Sequence, residues 1–315
     1  MRIIGVFNRD GGTFKTTDMD AFVATATGIF TEAGHEFEAR PVEGRSLIGE
    51  LERAAAAAEV LLAGGGDGTI SAAAGIAYRR GIPLAVLPAG TMNLFARSLG
   101  VPLKLEPALA ALAAGVVKSV DIATANGRPF VHQFSVGLHP KLVKLRETLS
   151  YKGRIGKMLA SSRAAIGAVV RPPNFTAEVV TAHGLERRRT AGISVSNNPF
   201  DEGHLPLADT LDRGVLGIYV IKPLTPRALL GLGWGMLRGK WKSLPEIIER
   251  EAREAIVRFP RKTSGAMAVI DGELIRLSDK VELRIHPAAL KVLVPRDAEA
   301  PPASDDALAP ALSTP

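Results

Sequence analysis

Apolar and polar positions along the first 125 residues alternate between two periods. Short apolar runs at 2–8 (RIIGVFN), 59–64 (EVLLAG) and 83–90 (PLAVLPAG) read as buried strands, and 35–42 (HEFEARPV) alternates as a half-buried strand does. Between them, 20–30, 47–58, 69–78 and 93–99 carry helical spacing. Strands alternating with helices predict βα units around a mostly parallel sheet. Three loops, NRDGGT (8–13), GGGDGT (64–69) and PAGT (88–91), then fall at the carboxyl ends of strands, where open α/β sheets bind their ligands.

The pattern changes after Val120. From 130 to 294 the runs are longer, richer in β-branched residues and alternate in polarity: FTAEVVTA (175–182), RTAGISVSNN (189–198), GVLGIYVIK (214–222), AIVRFP (255–260), AMAVIDGE (266–273) and KVELRIH (280–286). These predict a second, β-rich antiparallel domain, sandwich-like, interrupted by helical stretches near 141–170 and 226–239. The boundary falls between 1–125 and 126–286. The segment 296–315, rich in Pro, Ala and acid, reads as a disordered tail. No internal repeat is present.

Composition narrows the chemistry. The chain has no cysteine, so a disulfide framework, a thiolate nucleophile and a cysteine-ligated metal are excluded, and a reducing compartment is favoured. The apolar run before Asn8 is too short for a secretory signal, and the longest stretch without charge, 81–96, is shorter than the ~20 residues a spanning helix needs. A cytoplasmic protein is expected. The net charge of +7 suits anionic lipid or phosphate-bearing ligands, whereas 5% aromatic content and the lack of a binding motif argue against nucleic acid. The six histidines show no metal-ligand spacing, and no G-x-S-x-G elbow appears.

The glycine loop itself carries the strongest signal. A strand running into Gly64, Gly65, Gly66, Asp67 and Gly68 before a helix lets backbone N–H groups converge on an anion at a positive helix terminus. No Lys follows the last glycine, so it is not a Walker A loop, and Thr69 breaks the G-x-G-x-x-G spacing. No Lys or Arg occurs between Arg53 and Arg79, so bound phosphates need a separate cation, and Asp67 can help hold hydrated Mg²⁺. Taken alone, the loop reads first as a tight turn with Asp67 or Thr69 as a helix cap. Three such junctions on one sheet edge favour a mononucleotide site, with Asn93 able to cap its helix or bond the nucleotide.

The combination GGGDGT, PAGTMNLFARSLGVP (88–102), IDGE (270–273) and ALKVLVP (289–295) resembles the diacylglycerol kinase catalytic family, which includes bacterial lipid kinases and sphingosine kinases. The resemblance runs from the first strand to Pro295. It implies an NAD kinase/diacylglycerol kinase-like fold: an α/β domain holding ATP with Mg²⁺, completed by 287–295 where the last strand crosses back, and a β-rich domain helping to form the lipid cleft. Matched position by position, Asn8 and Thr13 fall in the first nucleotide segment, Gly65, Gly66, Asp67, Gly68 and Thr69 in the phosphate loop, and Gly90, Thr91 and Asn93 in the second loop. NRDGGT departs from the family's Asn-Pro-x-Ser-Gly form, and Leu94 stands where the family often has Asp.

By the same resemblance Glu273 is the catalytic base, and Asp67 acts in catalysis through the Mg²⁺ of Mg-ATP. Spacing alone leaves two readings of this segment: Asp271 and Glu273 on one face of an extended strand, or an Asp-Gly hairpin turn. The family's structural Mg²⁺ position falls in 207–220, where Arg213 replaces the acid before Gly214; Asp212, displaced by one, is the remaining candidate ligand, and Arg213 could stand in for the cation's charge. RALLGLGWGMLRGKWKS (227–243) has the composition of an interfacial element and equally of an ordinary packing helix, and the basic runs 151–154 and 186–189 would add attraction to an anionic bilayer. The expected function is ATP-dependent phosphorylation of a hydroxyl of diacylglycerol or a related lipid, by a cytoplasmic protein peripheral to the inner membrane face, with room for a homodimer. The alternatives are an NAD kinase-like enzyme, against which the absent Asn-Glu dipeptide counts, and a catalytically silent lipid- or nucleotide-binding protein.

Overall fold

The computed structural model describes residues 1–150, 172–261 and 265–296. The first half follows the alternating pattern. β1 (Arg2–Asn8) passes through a one-turn 3-10 helix, Gly12–Thr16, into α1 (Met19–Glu32), β2 (Glu36–Val42) and α2 (Leu47–Ala57). Then come β3 (Val60–Gly65), α3 (Asp67–Arg80), β4 (Leu84–Pro88), α4 (Leu94–Ser98) and α5 (Leu105–Ala113). The helices begin where local chemistry allows: the Asp18 carboxylate caps α1 by accepting the N–H groups of Asp20 and Ala21. α3 ends at Gly81, whose φ of 69° is the left-handed cap that glycine adopts without strain.

The second half supplies β5 (Val116–Ala125), β6 (Arg128–Phe130), β7 (Gln133–Gly137), α6 (Leu138–Ser150), β8 (Phe175–Thr181), β9 (Gly184–Thr190) and β10 (Gly192–Asn197). It continues with β11 (Leu216–Ile221), α7 (Pro226–Leu237), β12 (Ile247–Ala252), β13 (Glu254–Arg258), β14 (Met267–Ile270), β15 (Glu273–Arg276) and β16 (Lys280–Val294). Two sheets result. One has the order β2-β1-β3-β4-β16-β13-β8-β9, with β5 and β6 joined through β16; the other has the order β12-β11-β10-β7-β14-β15 and is antiparallel throughout. The expected α/β region with a mostly parallel sheet and the expected antiparallel β-rich region are both present.

The run β2-β1-β3-β4-β16 is parallel, and the strand order reverses between β1 and β3. At such a switch point the helices leave on opposite faces and open a crevice beyond the strand ends. The pairing of Phe7 with Gly64 and of Gly65 with Pro88 brings all three loops to that edge.

The sheets do not part at residue 125. β5 pairs along β16, and β16, fifteen residues long, runs from antiparallel pairing with β13 into parallel pairing with β4, with an irregularity between His286 and Leu290. One strand therefore serves both halves. The antiparallel end of the large sheet packs on the smaller sheet as a sandwich around Phe134, Val195, Ile218, Val257 and Leu283. A separate core of Ile3, Phe7, Leu61, Leu87 and Leu293 fills the α/β half.

Local differences from the pattern have clear causes. The run 189–198 is two strands that turn at Ala191, and ERRR lies in β9, an exposed edge strand with no buried face to impose alternation. The segment 266–273 is not one strand: Asp271 (φ 45°) and Gly272 (φ 85°) form a two-residue turn, and Ile270 pairs with Glu273 across it. The part of the helical stretch beyond 150, the basic run 151–154 and the tail from 297 lie outside the described residues.

Candidate functional site

Three loops meet at the switch point because glycines permit backbone to touch backbone. A Cβ on Gly12 (φ 54°) would lie 1.7 Å from the Ala89 carbonyl oxygen, and one on Gly90 would lie 2.6 Å from the Gly66 Cα. No side chain fits at either contact, so the first loop rests on the third and the third on the second. The Thr13 N–H donates to the Ala89 carbonyl at 2.8 Å and locks the first contact. Beneath it, Phe14 packs edge-on against Phe7 and Phe22, with ring centroids 5.8 and 5.1 Å away, and anchors the 3-10 turn in the core.

Side chains complete the cradle. Asn8 donates from Nδ2 to Thr69 Oγ1 (3.3 Å), joining the first loop to α3, and its Oδ1 accepts the Asp10 N–H. Asn93 (φ 51°) closes on Gly90 twice, accepting its N–H and donating to its carbonyl, both at 2.8 Å. Asp67, in the first turn of α3, accepts the N–H groups of Asn93 (3.1 Å) and Leu94 (2.7 Å). Asp67 thus caps α4, and Asn93 shapes the loop instead of capping its helix. The backbone N–H of Leu94 therefore takes part in the cradle.

α3 itself has no side-chain cap. Its first N–H groups therefore have no intrahelical acceptor and face the crevice with the helix dipole behind them. Gly68 is exposed with nothing within 4 Å of its would-be Cβ, and Thr13 and Thr91 are exposed nearby, so the mouth of the cradle is open. Asn8, Thr13, Gly65, Gly66, Asp67, Gly68, Thr69, Gly90, Thr91 and Asn93 are one constellation. Among the described residues no group of three or more His, Asp or Glu is placed to hold a metal ion. The donor set fits Mg²⁺ carried mainly by phosphate oxygens and water, with Asp67 as its one protein carboxylate.

The two carboxylates of the 270–273 hairpin have opposite surroundings. Asp271 is buried; its Oδ2 accepts the Ser71 hydroxyl (2.7 Å) and the Val131 N–H (2.9 Å), and its Oδ1 accepts the N–H groups of His132 (3.0 Å) and Gln133 (2.9 Å). Burial pushes this carboxyl above the usual aspartate range, opposed by the bonds from Ser71 and the three amides. Ser71 lies one turn along α3 from Asp67, so Asp271 is tied to the glycine-loop helix. Glu273 is exposed and pairs with Arg128 at 2.5 Å. The two acids share no face, because the turn at Asp271 and Gly272 ends the strand between them.

Asp212 is exposed and joins no ligand cluster, and the Arg213 guanidinium pairs with Glu251 at 3.0 and 3.2 Å, so it does not stand in for a cation within the loop. The 211–214 loop is held instead by Asp121, a residue that no sequence motif marks. Its buried carboxylate accepts the N–H groups of Gly214 (2.6 Å) and Ala288 (2.9 Å), and its own N–H donates to the Leu211 carbonyl. The signal was a lone acid inside a buried apolar strand, which needs partners to be tolerated.

His132, beside Asp271, is buried with Nε2 unpartnered, and burial lowers its pKa to about 4. Unfolded, the ring takes a proton near 6.5; folded, only near 4. Its contribution to stability is therefore whole above pH 6.5 and is lost as pH falls toward 4, by up to about 3 kcal/mol. Urea unfolding of the wild type and of His132→Phe between pH 7 and 4 should show this component disappear in the variant; parallel pH profiles would refute it.

Residues 2–125 match the family model of the diacylglycerol kinase catalytic domain. The "Probable lipid kinase YegS-like" protein of Pseudomonas aeruginosa strain UCBPP-PA14 is 29% identical over 294 residues, covering 87% of this chain and 89% of that protein. The uncharacterized protein sll0036 of Synechocystis is 26% identical over 246 residues, 75% of this chain, and the match spans only 54% of that protein. Among solved structures, a diacylglycerol kinase from Bacillus anthracis shares the fold with a TM-score of 0.68 at 16% identity, covering 94% of this chain and 97% of that one.

Proposed function

We propose that this chain is an ATP-dependent lipid kinase that transfers the γ-phosphoryl group to a hydroxyl of diacylglycerol or a related lipid. The observation that carries this reading is the uncapped N-terminus of α3, set in an open cradle that two other glycine loops brace through backbone contacts. The matched domain and the YegS-like relative give the cradle its chemical sense.

In this reading the free amides of Gly66 to Thr69 bind the ATP phosphates, and Thr13 and Thr91 supply hydroxyls at the rim. Asp67, with the phosphate oxygens, would hold Mg²⁺, which would supply the positive charge that the loop's lack of Lys or Arg leaves wanting. The acceptor hydroxyl lies against Asp271, in the place where the Ser71 hydroxyl now donates. As its oxygen bonds to the γ-phosphorus, its proton passes to the Asp271 carboxylate, the bond to the bridging oxygen breaks, and ADP leaves. A carboxyl raised by burial suits this role. Glu273, the base that the resemblance implies, occupies the outer end of the hairpin with Arg128.

Transfer of label from γ-³²P-ATP with Mg²⁺ to diacylglycerol, sphingoid base, phosphatidylglycerol and NAD in mixed micelles tests the proposal. A labelled lipid is expected. Label on NAD alone, or ATP binding with no labelled acceptor, would overturn it in favour of an NAD kinase or a silent binder.

A further inference from the structure

α7 is apolar on two faces but buries only one. Leu232 and Gly235 are buried, and Ala228 and Leu229 pack with Leu138, Ala191 and Leu224. The opposite stripe, Leu230, Trp234 and Leu237, repeats at helical spacing and faces solvent, at 71%, 57% and 65% exposure. These are the three most exposed large apolar side chains among the described residues, and Met236 beside them is exposed as well. Scattered exposed leucines need no explanation, whereas a contiguous stripe of this kind marks a contact surface.

The charge around the stripe has one sign. Between residues 213 and 245 the chain contains no Asp or Glu. Arg227 and Lys240 are exposed and make no ion pair among the described residues, and the Arg238 guanidinium sits 4.8 Å above the Trp234 ring. An apolar stripe with a tryptophan and arginine at its rim and basic residues at both ends is complementary to an anionic lipid surface, with leucines toward the acyl boundary and cations among the headgroups. A second copy of the chain would bring like charges together across a two-fold contact. No helix among the described residues is long and apolar enough to cross a membrane.

We infer that α7 docks the protein flat on an anionic membrane surface through Leu230, Trp234 and Leu237, with Arg227, Arg238 and Lys240 at the headgroups. The inference deepens the lipid-kinase reading, on which its purpose rests, by naming the face that meets the substrate's bilayer.

Trp234 is its own reporter, because Trp241, the other tryptophan, is buried. Vesicles of phosphatidylglycerol and phosphatidylcholine, with no ATP and no acceptor lipid, should shift the fluorescence to the blue, and brominated acyl chains should quench it. Pure phosphatidylcholine should do so weakly, and Trp234→Phe should abolish the shift. The double variant Leu230→Ser and Leu237→Ser should bind anionic vesicles at least about tenfold more weakly, with an unchanged urea midpoint. Vesicle binding that leaves Trp234 unshifted, or full binding by the double variant, would place docking elsewhere. A blue shift that grows with protein concentration in the absence of lipid would assign the stripe to self-association. Phosphorylation of a short-chain acceptor dissolved as monomers is the separate reading of the kinase: the double variant should match the wild type there. Absence of product from both proteins overturns the kinase while leaving a lipid-dependent shift intact.

Discussion

Asp271→Asn is expected to lower kcat by about three orders of magnitude while leaving ATP affinity within a few fold, as removal of a general base from a phosphoryl-transfer site should. Glu273→Gln, on the exposed side of the same hairpin, should cost less than about tenfold, since among the described residues its carboxylate pairs with Arg128 alone. Whichever way its amide turns, the Asn variant sets an NH₂ group against a backbone N–H that the carboxylate accepted, that of Val131 on one side or those of His132 and Gln133 on the other, at a cost of about 1–3 kcal/mol of stability. Thermal unfolding and ATP binding therefore accompany the kinetics, so that a folding defect is seen as one. Ser71→Ala provides the second arm, because it removes a donor to Oδ2 and leaves the base in place; its turnover should remain near wild type. In the wild type the acidic limb of kcat/KM should lie above the usual carboxylate range, since burial raises the carboxyl, and activity falls as the base is protonated. A deeper loss in Glu273→Gln than in a folded Asp271→Asn would return the base to Glu273.

The second large effect concerns the contact between loops. Gly90→Ala drives a Cβ to within 2.6 Å of the Gly66 Cα and 3.0 Å of Asn93 Oδ1, and a backbone cannot retreat as a flexible side chain can. Overpacking of this kind costs about 1–3 kcal/mol, and because it separates the two phosphate-binding loops it should appear as a loss of ATP affinity of about ten- to a hundredfold. Gly68→Ala is the informative partner. Its Cβ meets nothing, and alanine in a helical turn gains about 0.5–1 kcal/mol over glycine, so the protein should unfold at slightly higher temperature. If phosphates lie over the first turn of α3, the same methyl group obstructs them and ATP affinity falls. Titration calorimetry beside thermal unfolding separates the effects, and a Gly68→Ala protein that binds ATP as the wild type does would remove the phosphates from this helix.

Much of this site was legible before any tertiary information. Glycine runs that end apolar stretches mark the strand ends, because a buried strand that turns tightly into a helix needs both periodicity and a backbone free of Cβ, and each is a local property. Gly12 and Gly90 were readable as turn residues, but what they touch was not. The edge strand β9 is not legible for a related reason: without a buried face, the alternation that identifies a strand is not imposed.

Roles of carboxylates were the least legible. Asp67, which its motif reads as a metal ligand or as the cap of its own helix, caps a different helix 27 residues onward, while Asp121, which no motif marks, holds two loops 93 and 167 residues away. The Asp271 and Glu273 pair differs in burial because a two-residue turn sends one acid into the protein and the other into solvent. By itself the sequence determined the βα order of the first half up to β4, the parallel and antiparallel halves and the three loops, since periodicity and glycine placement act within a few residues. Only the tertiary structure decided that Asp121 holds the 211–214 loop and that Ser71 meets Asp271 across 200 residues, because a carboxylate takes its function from donors that folding brings to it.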